Sequence, residues 1–156
     1  MKRMWSKTLL IFASVAIAST CARAQDDAAY LAYRQKVMKG IGTNIGAIGD
    51  ILKNKLPYTK NIATHAKAMQ EASKLIESAF EKKITEGKTD AKAEIWQEWE
   101  KYVAAAKKLE EESGKLAEVA AGGDMAAIGA AMQKVGGACG SCHKLYRKPK
   151  EERFKR

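Results

Sequence analysis

Residues 125–146 read MAAIGAAMQKVGGACGSCHKLY, and the spacing inside this stretch decides the fold class. Met125, Ile128, Met132, Val135, Cys139, Cys142 and Tyr146 recur at alternating intervals of three and four, the period of one face of an α-helix. A strand would need alternation every second residue, which is missing here. Gly122-Gly123-Asp124 stands just ahead: the glycines suit the end of a preceding helix, and Asp124 suits the cap of this one. Two thiols therefore share one apolar helical face, a single turn apart.

The same period runs outward through the chain. From Asp27 to about Lys53 the seam is Arg34, Met38, Ile41, Ile45, Ile48 and Leu52, with Asp26 or Asp27 as the expected cap and Pro57 as the stop. Gly40, Gly42, Gly46 and Gly49 cost about 1 kcal/mol each in helix propensity, which predicts something bulky packed against this backbone. A second helix is expected after Pro57, with Ile62, Ala66, Met69, Ile76 and Phe80 inward. Residues 81–92, with Gly87, Thr89 and Asp90, read as a longer connection. A third helix, from about Ala93 to Ala121, carries Ile95, Trp99, Tyr102, Ala106, Leu109, Leu116 and Ala120. Trp96 and Trp99 are read as packing. Met69, Met125 and Met132 are read as core, and His65 as an ordinary boundary residue. Four amphipathic helices with short first and third links predict an all-α, antiparallel four-helix bundle over residues 25–148.

Residues 1–24 have another purpose. Lys2, Arg3 and Lys7 precede an apolar run from about Thr8 to Ala18, and Ala22-Arg23-Ala24 supplies a signal-peptidase site. The run is too short to span a bilayer comfortably. The competing readings are an uncleaved anchor and a lipoprotein built on Cys21; Ala-Ser-Thr before that cysteine lacks the usual aliphatic residue. We expect cleavage before Gln25, a periplasmic location and no transmembrane span afterwards. The whole chain has 28 Lys plus Arg against 18 Asp plus Glu, a formal charge of +10. The leader holds four basic residues (Lys2, Arg3, Lys7, Arg23) and no acidic ones, so the mature charge is +6. Residues 144–156 hold seven basic and two acidic residues, +5 of that total, and they include the basic tail at 149–156. The bundle itself is nearly balanced, which argues against nucleic acid as a partner. The tail suits an acidic redox protein or an anionic membrane surface.

Losing Cys21 leaves Cys139 and Cys142 alone in an oxidising compartment, where free thiols would not stay reduced. His143 follows directly, giving Cys139-Gly140-Ser141-Cys142-His143, the attachment motif of c-type haem. Two thiols one turn apart can add to the two vinyl groups of a haem, and the next residue brings an imidazole to the iron. Three other readings use the same residues. A redox dithiol sits at a helix N-terminus after a strand, unlike this motif. A zinc site needs four ligands, and beyond these three only His65 offers itself. A simple disulfide leaves His143 without a role.

With Tyr33-Arg34-Gln35 and Met38 at one end, Asp90 and Glu94-Ile95-Trp96 in the middle, and Cys139 to His143 followed by Tyr146-Arg147, the chain resembles the cytochrome c′ family, including its cytochrome c-556 type members. The resemblance covers Gln25 to about Lys148. It implies one covalent haem c, with Cys139 and Cys142 as thioether donors and His143 as axial iron ligand. It also implies Arg34, Gln35 and Asp90 at the haem edge, Arg34 toward a propionate, and Arg147 near the proximal imidazole. Met38, on the core seam, is the candidate second axial ligand; the competing reading is packing. Relatives of this kind often pair through their first two helices, which makes a homodimer a resemblance-based expectation.

The expected function is one-electron transfer by an exported monohaem cytochrome that is not an enzyme. The first alternative is a five-coordinate, high-spin protein that binds NO or CO, and the second a haem-free thiol oxidoreductase. Neither a phosphate-binding loop nor a nucleophile constellation occurs in the sequence.

Overall fold

The computed structural model describes residues 8–154, with side chains from residue 26 onward. The side chains of the expected leader, and the last two residues of the basic tail, lie outside the described residues. The helices are α1 (Thr8–Lys53), α2 (Asn61–Ser73), α3 (Ile76–Phe80), α4 (Glu94–Gln97), α5 (Trp99–Gly122) and α6 (Met125–Tyr146). A 3₁₀ turn, Lys150–Glu152, follows. The all-α expectation holds: the described residues form no strand, only an isolated antiparallel bridge between Ala91 and Arg147.

Close packing runs in a chain of neighbours, α1 against α2, α2 against α5 and α5 against α6, with α3 also on α1. The pair α1 and α6 is not among the closely packed ones. The core is built from the expected seams: Ile41 and Ile48 from α1, Ile62, Ala66 and Met69 from α2, Leu109 and Leu116 from α5, Ile128 and Val135 from α6. Burying such side chains contributes roughly 1.5–3 kcal/mol each against leaving them in water.

Helix α6 begins as its sequence dictates. Gly123 takes the left-handed conformation (φ 76°) that ends α5, and Asp124 Oδ1 accepts from the amides of Ala126 at 2.9 Å and Ala127 at 3.2 Å. Other boundaries differ from expectation. Helix α1 does not start at Asp27; it continues back to Thr8, because no proline or other breaker intervenes. Asp26 and Asp27 are therefore not caps, and their carboxylates pair with Lys82 Nζ at 2.5 and 2.7 Å. The second helix is interrupted between Ser73 and Ile76, yet Ile76 and Phe80 keep the inward face. The third is broken at Glu98 (φ −121°, ψ 43°), whose carboxylate accepts from Tyr146 Oη at 3.2 Å.

Three packing expectations also change. Met125 is 45% exposed, because the first residue of α6 overhangs the end of the bundle, and Met132 is only half-buried. Beyond the helix's own backbone, no described protein atom lies within 4 Å of an added Cβ at Gly40, Gly42, Gly46 or Gly49, so the bulky neighbour expected there is not found among the described residues. His65 is half-buried, with Nδ1 2.8 Å from Asn44 Oδ1, as a boundary histidine. No described helix is long and apolar enough to cross a membrane.

Candidate haem site

Cys139 and Cys142 stand one turn apart on α6, both half-buried and both packed against the core cluster. Neither is in a disulfide. Burial pushes the pKa of both thiols up, disfavouring the thiolate, and Cys142, with Cys139 beside it, is pushed up to about 11. Thiol exchange needs a thiolate, so this setting works against a redox dithiol. His143, the next residue, stands on the last turn of the helix, partly open to solvent. Partial burial, then the Arg147 and Arg153 charges, hold its ionisation below the usual imidazole range and so favour the neutral ring that metals take. Three His, Cys, Asp or Glu side chains do not meet as a metal cluster anywhere among the described residues, which removes the support for a zinc site.

Gly136, Gly137 and Gly140 lie exposed on the outer side of α6, away from the half-buried thiols, where an added Cβ would meet no protein atom within 4 Å. Met38, on α1, is half-buried and packs against the cluster that also takes Cys139, Cys142, Trp96 and Trp99. Tyr102, fully in that cluster, has a buried hydroxyl with no hydrogen-bond partner among the described residues, a condition that costs roughly 1–3 kcal/mol. A pair of half-buried thiols with an imidazole at the next residue, and an orphaned phenol in the core, fit a haem group. The two thiols and His143 would hold it.

The remaining predicted residues are drawn together by the connection at 81–93. Arg34 is only 3% exposed. Its Nε donates to Ala79 O at 2.8 Å, Nη1 to Ile84 O at 3.3 Å and Nη2 to Lys82 O. The guanidinium also lies over the Phe80 and Trp96 rings, 5.0 and 5.2 Å from their centroids. Three of its five N–H groups thus serve backbone carbonyls, and burial without a bonded carboxylate lowers its ionisation. Gln35 Nε2 donates to Lys88 O at 2.8 Å. Asp90 binds the other end of the molecule, taking Arg147 Nη2 at 3.1 Å and the Phe154 amide at 3.3 Å. The basic tail is accordingly folded back, with Arg153 Nε on Lys148 O at 3.0 Å.

Sequence reading passed over Tyr102 as one more seam residue. Its signal was a phenol in a row of Ile, Leu and Ala, where a hydroxyl needs a partner that apolar neighbours cannot supply. Lys82, which gathers two carboxylates from α1, had no local signal.

The model of the family described as cytochrome c′ matches residues 29–147. A cytochrome c′ from Rhodospirillum rubrum is 39% identical over 144 residues, covering 90% of this chain and 98% of that protein. The structure of cytochrome c prime from Shewanella frigidimarina superposes with a TM-score of 0.72 at 29% identity, over 78% of this chain and 96% of that one. A nitric oxide complex of a variant cytochrome c prime from Alcaligenes xylosoxidans superposes with a TM-score of 0.68 at 29% identity, over 77% of this chain and 94% of that one.

Proposed function

This chain belongs to the cytochrome c′ family, and on that footing we propose that it is an exported one-electron carrier with iron held between His143 and Met38. Haem c, attached covalently, is the cofactor of this family. Cys139 and Cys142 would each add S–H across a vinyl group to form the two thioethers. When bound, the group supplies an iron that exchanges one electron between ferric and ferrous states.

The chain's own residues do the rest. His143 presents its neutral imidazole from the last turn of α6. Met38 would offer a thioether sulfur from α1, a soft donor that favours the ferrous form. Arg34, Gln35 and Asp90 serve the haem edge by fastening the 81–93 connection there. The apolar cluster of Trp96, Trp99 and Tyr102 excludes water, and low polarity around a redox centre raises its potential. Residues 1–24 direct export to the periplasm and are removed. The partner is an acidic redox protein met by the basic C-terminal segment.

The observation that carries this reading is Met38, half-buried on the inner face of α1 and packed on the same cluster as Cys139 and Cys142. The visible spectrum of the purified protein tests it. A low-spin ferric spectrum with a sulfur-to-iron charge-transfer band is expected, and Met38→Ala should convert it to high spin. A wild-type spectrum already high-spin would overturn ligation by Met38. It would then favour the second reading, NO or CO binding, which the nitric oxide complex of the Alcaligenes relative supports. A dimer through α1 and α2 is part of the proposal, tested by sedimentation.

A further inference from the structure

Tyr102 occupies the aromatic centre of the bundle. Its ring centroid lies 5.3 Å from Phe80, 5.8 Å from Trp99 and 5.3 Å from Tyr146, the last edge-on at 88°. Two polar aromatics nearby have partners: Trp96 Nε1 donates to Phe80 O at 2.8 Å, and Tyr146 Oη donates to Glu98 at 3.2 Å. Tyr102 is 2% exposed and its hydroxyl has no such partner among the described residues. Phenylalanine would fill the same ring space without leaving a donor unpaired, so the hydroxyl calls for an acceptor.

The surroundings say where that acceptor lies. Tyr102 lies edge-on against Tyr146, one helical turn beyond Cys142 on α6, so its ring faces the helix that carries both cysteines. Cys142 and the buried Arg34 guanidinium both act electrostatically on the phenol, which burial keeps protonated and hence a donor. Arg34 itself retains two N–H groups after serving its three carbonyls. A group anchored at Cys142 would bring lone pairs into this otherwise apolar space.

We propose that the Tyr102 hydroxyl donates a hydrogen bond to the haem held at Cys142, making Tyr102 a cofactor-positioning residue; this rests on the attachment proposed above. The acceptor is a haem propionate oxygen or the Cys142 thioether sulfur, which share the required lone pair. Donation to either withdraws electron density from the haem and favours the reduced form.

The test uses full-length holoprotein with Tyr102→Phe beside Ser113→Ala. Ser113 is the other buried hydroxyl on α5 without a partner, about three turns along the helix. Tyr102→Phe should keep covalent haem, lower the reduction potential and move one resonance Raman band. A shifted propionate mode identifies the carboxylate as acceptor, and a shifted C–S mode identifies the thioether. Ser113→Ala should move neither potential nor band. In the unmutated protein the same band should respond to exchange of solvent into D2O, a readout that needs no variant. Equal potentials for wild type and Tyr102→Phe, with both bands unmoved and insensitive to D2O, would overturn the proposal. So would a shift of the same size in Ser113→Ala. Absence of covalent haem from the wild type would instead sink the attachment reading itself.

Discussion

Asp90 Oδ2 accepts a hydrogen bond from Arg147 Nη2 at 3.1 Å, joining residues 57 positions apart. The same carboxylate takes the Phe154 amide through its other oxygen at 3.3 Å. Backbone bonds flank it: Lys92 N donates to Tyr146 O at 3.0 Å and Lys148 N to Asp90 O at 2.8 Å. The connection before α4 is in this way stitched to the chain that leaves α6. Asp90→Ala should lower the unfolding free energy by about 1–2 kcal/mol, since it leaves half-buried donors without this acceptor. Asp90→Asn, which keeps one acceptor oxygen, should lose less. Denaturant unfolding of the holoprotein measures both.

Arg34 is the second fastening of that connection. Arg34→Lys should cost about 2 kcal/mol, because a single ammonium cannot span three carbonyls or stack between Phe80 and Trp96. Faster amide exchange confined to residues 79–88 would show that the loss is local to the clamp.

Glu112 gives an acid-side prediction. Lys108 Nζ at 2.8 Å and Lys115 Nζ at 3.2 Å hold its carboxyl below the usual carboxylate range. A carboxylate depressed in the folded state stabilises above its unfolded value, and that stabilisation is lost as pH falls through the folded one. Wild type should therefore exceed Glu112→Gln in melting temperature at neutral pH, with the difference shrinking below about pH 4. A gap that stayed constant into acid would show that the ion pairs contribute nothing.

Two apolar residues that sequence reading treated alike should part company. Leu116 is fully buried, so Leu116→Ala should cost about 2–5 kcal/mol through lost contacts and the cavity left behind. Met125 is exposed at the start of α6, and Met125→Ala should stay within about 0.5 kcal/mol of wild type. Paired denaturation curves decide it.

The helices and their inward faces were legible because they depend on local period. Asp124 and Gly123 were legible as cap and terminator because each acts within three residues of itself. Cys139, Cys142 and His143 were legible for the same reason: their chemistry depends on spacing within one turn. Contacts across long separations were not. Lys82 meets Asp26 across 56 residues, and Arg34 meets Ile84 across 50, with nothing in either local sequence to announce the pairing. The break at Glu98 was hidden as well, since a glutamate is an ordinary helix former and its bond to Tyr146 is tertiary. Arg34 shows the limit most plainly: its burial was foreseen by its place on the seam, but its three carbonyl partners belong to a loop.

That irregular connection has a mechanical consequence. Helices α1 and α6 are not a closely packed pair, yet residues 81–93 hold both: Lys82, Ile84 and Lys88 grip α1 through Asp26, Asp27, Arg34 and Gln35, while Asp90 and Lys92 grip the end of α6. Met38 rides on the first of these helices and His143 on the second. The strap between them sets the gauge of the gap, so its amides should open to solvent only when both walls come loose together.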